Sequence, residues 1–302
     1  MKRIFAFWVN KNNKLSIPPY LDLCMETWKK SIPDLELVII NYDNLYEWID
    51  EDYLSKKELK TLTIPQQKDA VSYALLYKHG GVFLDVDTII FKDIYTEIEK
   101  LDDRLYLFGR HLGALICKKA GNEALLHCMN TVKKTLEKEN KLKSFFTAYK
   151  IKQFLKNLMK IALGVFVIKY RGTKLRWLLP WSATGNAVIN PVMRNPNFSS
   201  SVGVIDHIKT GAIIERSFFD NKGQSESDNR KQNYLDFYFE ENNIKITDVI
   251  EKASFGMALL HNSWTPTGYK ELDYQAIKSD KSLLSRLLMF VLEQRSIENL
   301  NV

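Results

Sequence analysis

Residues Gln66 to Ile90 read QQKDAVSYALLYKHGGVFLDVDTII, and the fold turns on them. From Gln66 to His79 the residues are helix-compatible, and Gly80-Gly81 supplies the expected C-terminal stop. Val82 to Phe91 (VFLDVDTIIF) then reads as one apolar strand carrying two aspartates. Asp85 and Asp87 follow three core-type residues, so they are expected near the carboxyl end of that strand, where open α/β sheets bind ligands. Side chains two apart on a strand point the same way. Two such carboxylates can share a hard divalent cation and the diphosphate oxygens it carries. A bare Asp-x-Asp is common on surfaces. Directly after buried strand residues, though, the pair is costly unless solvated, paired or metal-bound. An aspartyl-phosphate phosphatase also uses Asp-x-Asp at a strand end, but it wants a small hydroxyl residue where this chain has Ile89.

Outward from this stretch, strand and helix signals alternate. Ile4–Val9 reads as a first strand, and Pro18-Pro19 opens a helix to about Lys30. Leu35–Tyr42 is a second strand, and Leu105–Phe108 and Ala114–Cys117 are shorter ones. The alternation predicts an open α/β sheet of mainly parallel strands. Further on, helices are expected over Asn122–Glu139, Ser144–Ala162 and Leu283–Gln294, strands over Val202–Asp206 and Met257–Leu260, and a loop over Phe218–Gln232. Repeats, low-complexity tracts and a clear linker are lacking, which favours one domain with insertions.

The 302 residues are 45% hydrophobic and 26% charged, ordinary globular values that exclude a disordered or fibrous chain. Cys24, Cys117 and Cys128 are odd in number and form no CxxC pair, so a disulfide scaffold and a thiolate zinc site are excluded and a reducing compartment is expected. Ile4–Val9 is too short for an export leader, and no apolar run approaches the ~18 residues of a membrane span. A protein that is soluble, or at most lies on a membrane, is expected.

Charge is uneven along the chain. Between Asn140 and Ile205 there are eleven Lys or Arg and no Asp or Glu, while the rest holds 32 basic and 36 acidic side chains. That asymmetry points to a local anionic partner. Lys152, Lys156 and Lys160 recur every four residues among apolar ones, the pattern of an interfacial membrane helix, and Arg171, Lys174 and Arg176 extend it. The plain alternative is an amphipathic helix on the core with its lysines in water. No nucleic-acid motif accompanies the patch.

The run KDAVSYALLYKHGGVFLDVDT resembles the central motif of bacterial family 32 glycosyltransferases, which include capsule and surface-polysaccharide enzymes. Their pattern is Ser-Asp, two residues, Arg, then Leu-Tyr, two residues, Gly-Gly, an apolar triplet and Asp-x-Asp. Asp69, Leu76-Tyr77, Gly80-Gly81 and Asp85-x-Asp87 stand at that spacing. The resemblance implies a GT-A fold, a Rossmann-like open mixed sheet flanked by helices, here with a mainly helical basic insertion. It also implies a nucleotide-sugar donor, Mn²⁺ or Mg²⁺, and transfer with retention. Asp87 would be the firmest metal ligand. Asp85 would serve the metal and the sugar and ribose hydroxyls, and Asp69 would accept from donor-sugar hydroxyls. These make Asp69 and Asp85 the catalytic candidates. Read without the family, Asp69 is a helix N-terminal acid favoured by the macrodipole. The family's Arg is Ser72 here, and Lys68 precedes Asp69, a point charge on a different helix face.

Phe7-Trp8 resembles the family's nucleotide-binding start, an aromatic beside the base, with Asn10 in reach of base or ribose; the plain reading is a core Trp at a strand end. His261-Asn262-Ser263-Trp264 resembles the family's closing motif over the diphosphate. His261 would be a third metal ligand, and the Ser263 hydroxyl and Trp264 indole would donate to the leaving phosphate. Gly185-Asn186 resembles a position shaping the acceptor side, and Trp177 and Trp181 would stack on a sugar or fill the core.

The resulting expectation is one domain. Residues 1–120 would bind the nucleotide sugar, 121–260 the acceptor, with the basic segment 140–205, and 261–302 would close the site. It would be a metal-dependent retaining hexosyltransferase using UDP-galactose or UDP-glucose. Its acceptor would be an undecaprenyl-diphosphate-linked glycan, met at the inner face of the bacterial plasma membrane through residues 140–176. The alternatives are a toxin-like enzyme that glycosylates protein, and a non-catalytic membrane-associated sugar- or lipid-binding protein.

Overall fold

The computed structural model describes residues 2–9, 17–138, 182–219 and 229–293. In chain order the strands are β1 Lys2–Phe7, β2 Leu35–Ile40, β3 Gly81–Leu84, β4 Thr88–Ile90, β5 Leu105–Phe108, β6 His111–Cys117, β7 Val202–Ile205 and β8 Met257–Leu259. Six of them form a mixed sheet in the order β2-β1-β3-β6-β5-β7, and β4 pairs with β8 separately. β1 is parallel to β2 and β3, and β5 is parallel to β7. β6 runs against both neighbours. Only Gly109 and Arg110 join it to β5, a link too short for a parallel crossover, and Gly109 turns there at φ +59°.

Alternation along the strands sends side chains into two cores. Ile4, Ala6, Val82 and Leu84 pack on one face of the sheet. Phe5, Phe7 and Phe83 pack on the other. The helix Ile64–His79 lies on the second face. The Gln66 side chain accepts from the Thr63 N–H at 2.9 Å and starts the helix, and Gly80, at φ +64°, ends it. Ten of its residues between Gln66 and Leu76 are buried, so no polar stripe breaks its sequence. On the first face, the helix Pro19–Ser31 is fastened to β4. Trp28 Nε1 donates to the Thr88 carbonyl at 2.6 Å, and the Ile90 N–H donates to Thr27 Oγ1 at 3.0 Å.

The single strand expected over Val82–Phe91 is two strands in two sheets. Asp85-Val86-Asp87 is the turn between them, so the carboxylates are presented by a turn and not by a pleat. The stretch expected as a loop to Gln232 is helical from Arg230 to Tyr238. The expected helix in the first part of the acceptor half spans 123–138 as far as it is described. Ser144–Ala162, the lysine stripe, Trp177 and Trp181 lie outside the described residues. Among those described, no helix is long and apolar enough to cross a membrane.

Candidate functional site

A cleft of about 770 Å³ opens at the carboxyl ends of β1 and β3. The reversed strand β6 brings its first residue, His111, to the same edge. The cleft is lined by Phe7 and Trp8 from β1, Lys68 and Asp69 from the helix Ile64–His79, and Asp85 and Asp87 from the turn. The late segment adds His261, Asn262, Ser263 and Trp264. Stretches from the start, the middle and the end of the chain therefore meet here.

One wall is acidic and centred on a lysine. Lys68 Nζ lies 3.1 Å from Asp69 Oδ1 and 3.1 Å from Asp85 Oδ1, so it is not turned to another face as its position on the helix implied. Burial opposes its charge, but Asp85 and Asp69 outweigh that and hold its pKa above the ordinary lysine range. Asp69 is buried at the sixth position of its helix, beyond the first turn, so the reading as a macrodipole-favoured terminal acid does not apply. Burial pushes its carboxyl up, and Lys68 opposes the rise. Gly185 presses on Asp69 from the other side, where an added Cβ would fall 2.3 Å from Asp69 Oδ2.

Asp87 is buried, and its Oδ2 accepts the Asn262 N–H at 2.7 Å. The Leu260 N–H donates to the Asp87 carbonyl at 3.2 Å, so the turn and the late segment are stitched together. Burial, then the neighbouring Asp85, pushes the Asp87 carboxyl up to about 7, against the Asn262 N–H. Asp85 Oδ1 is itself buried and faces the Lys68 ammonium at 3.1 Å. Two crowded carboxylates on one tight turn, that of Asp87 buried, fit a divalent cation.

A second cluster in the cleft is aromatic and basic. Arg230 Nη2 lies 3.4 Å from both His111 Nε2 and His261 Nε2, and its guanidinium is 5.2 Å from the Trp264 ring centre. The His261 ring packs on Trp264 with centres 4.3 Å apart. Burial, then His261 and Arg230, lowers the His111 pKa to about 3. Burial, then Arg230 and Arg216, lowers that of His261 to about 4. Both rings are neutral at pH 7. His261 faces Arg230, and among the described residues no three His, Cys, Asp or Glu side chains converge as a metal cluster. His261 lines the same cleft as Asp85 and Asp87, the two carboxylates of the turn.

Ser72 does not reach the cleft. Its buried hydroxyl donates to the Asp69 carbonyl at 2.8 Å, a bond within the helix. Asn10 lies outside the described residues. Trp8 Nε1 is buried in the cleft wall, with no hydrogen-bond partner among the described residues. Asn186 also lines the cleft. Sequence reasoning missed His111, Arg230 and Lys270, all of which line it. A signal for the first was available in the short Gly109-Arg110 link, which forces a hairpin and returns the next residue to the ligand edge.

Residues 18–105 match the family model described as the glycosyltransferase sugar-binding region containing DXD motif, and Asp85-Val86-Asp87 lies within the match. That part of the chain is similar to glycosyltransferase sugar-binding regions of the DXD kind. Among solved structures, the chain is similar to the glycosyltransferase GlyE of Streptococcus pneumoniae TIGR4. Identity is 11%, 96% of this chain and 60% of that one are covered, and the TM-score is 0.40. For the apo form of GlyE the values are 12%, 97%, 60% and 0.39. The PaToxG glycosyltransferase is 13% identical over 46% of this chain and 61% of that one, with a TM-score of 0.32. The chain thus spans about 60% of the length of these structures. No protein of curated function matches it.

Proposed function

We propose that the protein is a metal-dependent retaining hexosyltransferase of the family 32 kind, with a GT-A fold and a UDP-hexose donor, UDP-galactose or UDP-glucose. The observation that carries this reading is the two-signed cleft. Three carboxylates with one lysine form one cluster, and Arg230 with two neutral imidazoles and an indole forms the other. A metal diphosphate ester of a sugar has the complementary charge pattern. Asp85 and Asp87 would hold Mn²⁺ or Mg²⁺, which supplies charge neutralisation for the leaving diphosphate. Arg230 and the Ser263 hydroxyl donate to the diphosphate oxygens. Trp8 faces the uracil, where ring stacking is worth about 1–3 kcal/mol. Asp69 accepts from donor-sugar hydroxyls.

The acceptor would be a lipid-linked glycan on the inner face of the plasma membrane. The support is the acid-free basic segment 140–205 together with a diphosphate-type site, two features one acceptor class accounts for. A panel of nucleotide sugars, scored by thermal shift and by hydrolysis with and without Mn²⁺, tests the enzyme class. Hydrolysis of one UDP-sugar that stops in EDTA is expected. Turnover undiminished by EDTA would overturn the metal-dependent reading.

A further inference from the structure

We propose that Lys68 is a positioning residue that ties Asp69 to Asp85, so that it governs affinity for the sugar of the donor and not for its nucleoside diphosphate. The proposal rests on the nucleotide-sugar reading above. Lys68 stands between two ion-pair partners, Asp69 Oδ1 and Asp85 Oδ1, each at 3.1 Å. It also donates to Asp85 Oδ2 and to the Leu112 carbonyl, both at 3.3 Å. An ammonium has three hydrogens, and three acceptor groups surround this one. They belong to three separate elements: the helix Ile64–His79, the turn after β3, and β6.

A lysine so occupied has no hydrogen left for a phosphate. Its work is internal. It fixes one oxygen of Asp69, while Gly185 confines the other, since a Cβ there would lie 2.3 Å from Asp69 Oδ2. The Asp69 carboxylate is thereby held in one orientation and at a set distance from the Asp85-Val86-Asp87 turn. A reader of sugar hydroxyls needs that registration, because hydrogen bonds weaken steeply with angle and distance. The nucleoside diphosphate, by contrast, is held chiefly through Asp87, which the Asn262 N–H fixes, and through Trp8 and Arg230, none of which is an ion-pair partner of Lys68. Ser72 cannot share the task, because its hydroxyl is spent on the Asp69 carbonyl.

Titration calorimetry on the full chain in MnCl₂, with UDP and with the UDP-hexose the wild type turns over, tests this. Lys68→Met is expected to bind UDP within about threefold of the wild type. It is expected to bind the UDP-hexose about tenfold more weakly, the scale of one hydrogen bond to a charged group. In an Asp69→Asn background, Lys68→Met is expected to add less than about twofold, because Lys68 acts through Asp69. Equal losses for UDP and UDP-hexose, no loss for either, or full additivity of the two substitutions would each overturn the proposal.

Lys68→Met alone leaves two carboxylates without their cation and could fail to fold. Lys68→Arg, which keeps a cation but not the ammonium geometry, then carries the test, with the same contrast required: UDP bound within about threefold of the wild type and the UDP-hexose about tenfold more weakly. A wild type that binds no nucleotide sugar removes the functional reading and this one with it. A wild type that binds, with Lys68→Met indistinguishable from it, removes this one only.

Discussion

At the scale of single residues, the acidic wall works through close contacts that leave little room for substitution. Gly185→Ala would place a methyl 2.3 Å from Asp69 Oδ2 and 3.0 Å from Leu112 Cδ1. The carboxylate must move, and a shift near 1 Å at a positioning group costs about a hundredfold in rate. Donor hydrolysis should fall by about that factor while UDP binding in Mn²⁺ persists, a contrast that steady-state assays beside calorimetry would read. Asp87→Asn should remove metal-dependent nucleotide binding, and it also weakens the tie to the Asn262 N–H. The aspartates were legible because their spacing is local and follows a recognisable helix end. Lys68 was misplaced because residue position gives a Cβ direction only, and a four-carbon stem can swing its ammonium back across the helix. Arg230 was hidden because it follows a polar stretch with no apolar period to announce a helix.

At the scale of elements, the Asp-x-Asp turn is held by what packs around it. The helix Pro19–Ser31 reaches it through Trp28, fully buried, whose indole N–H donates to the Thr88 carbonyl one residue past Asp87. Trp28→Phe keeps most of the packing and orphans that buried carbonyl, a loss of about 1–3 kcal/mol. A lower urea midpoint with an unchanged slope is the expected result, together with weaker Mn²⁺ binding because the turn loses its brace. The run VFLDVDTIIF was legible as strand but not as two strands, since a continuous apolar run carries no mark of which neighbour it pairs with. The long-range partner, β8, lies about 170 residues away and decides the break. The mixed direction of the sheet was expected from family resemblance, whereas the alternation of elements alone favours parallel strands.

At the scale of the whole molecule, charge is arranged in two ways, one buried and one distributed along the chain. Glu215 is 1% exposed, and neither carboxylate oxygen has a hydrogen-bond partner among the other described residues. Burial pushes its carboxyl up to about 7, against Arg230 and Arg216. A carboxyl raised in the folded state binds its proton more tightly there than in the unfolded chain. Its contribution to stability is therefore full below the unfolded value of 4.5 and is lost as pH rises through about 7. The loss is on the order of 3 kcal/mol, at ~1.4 kcal/mol for each tenfold change in proton affinity. Urea midpoints of the metal-free protein should fall between pH 5 and pH 8. Glu215→Gln should flatten the fall in part, leaving the share of Asp87, which is shifted the same way.

The distributed charge makes the last test. Eleven positive and no negative side chains stand between Asn140 and Ile205, in a chain otherwise slightly acidic. Attraction to anionic lipid should reside in that segment, at about 1 kcal/mol for each basic residue near the surface. Salt should screen it, because the Debye length shrinks from about 10 Å at 0.1 M to about 3 Å at 1 M. Changing Lys152, Lys156 and Lys160 together to Gln should lower flotation with anionic vesicles at low salt. Mn²⁺-dependent donor hydrolysis should be spared, since the cleft is built from the strand ends and the late His261–Trp264 segment. Transfer to a lipid-linked acceptor should drop further than transfer to a short soluble analogue, because only the former needs the enzyme held at the bilayer. Vesicle binding that survives the triple change undiminished would reduce the lysine stripe to a solvated surface, and the lipid-linked acceptor would lose its physical support.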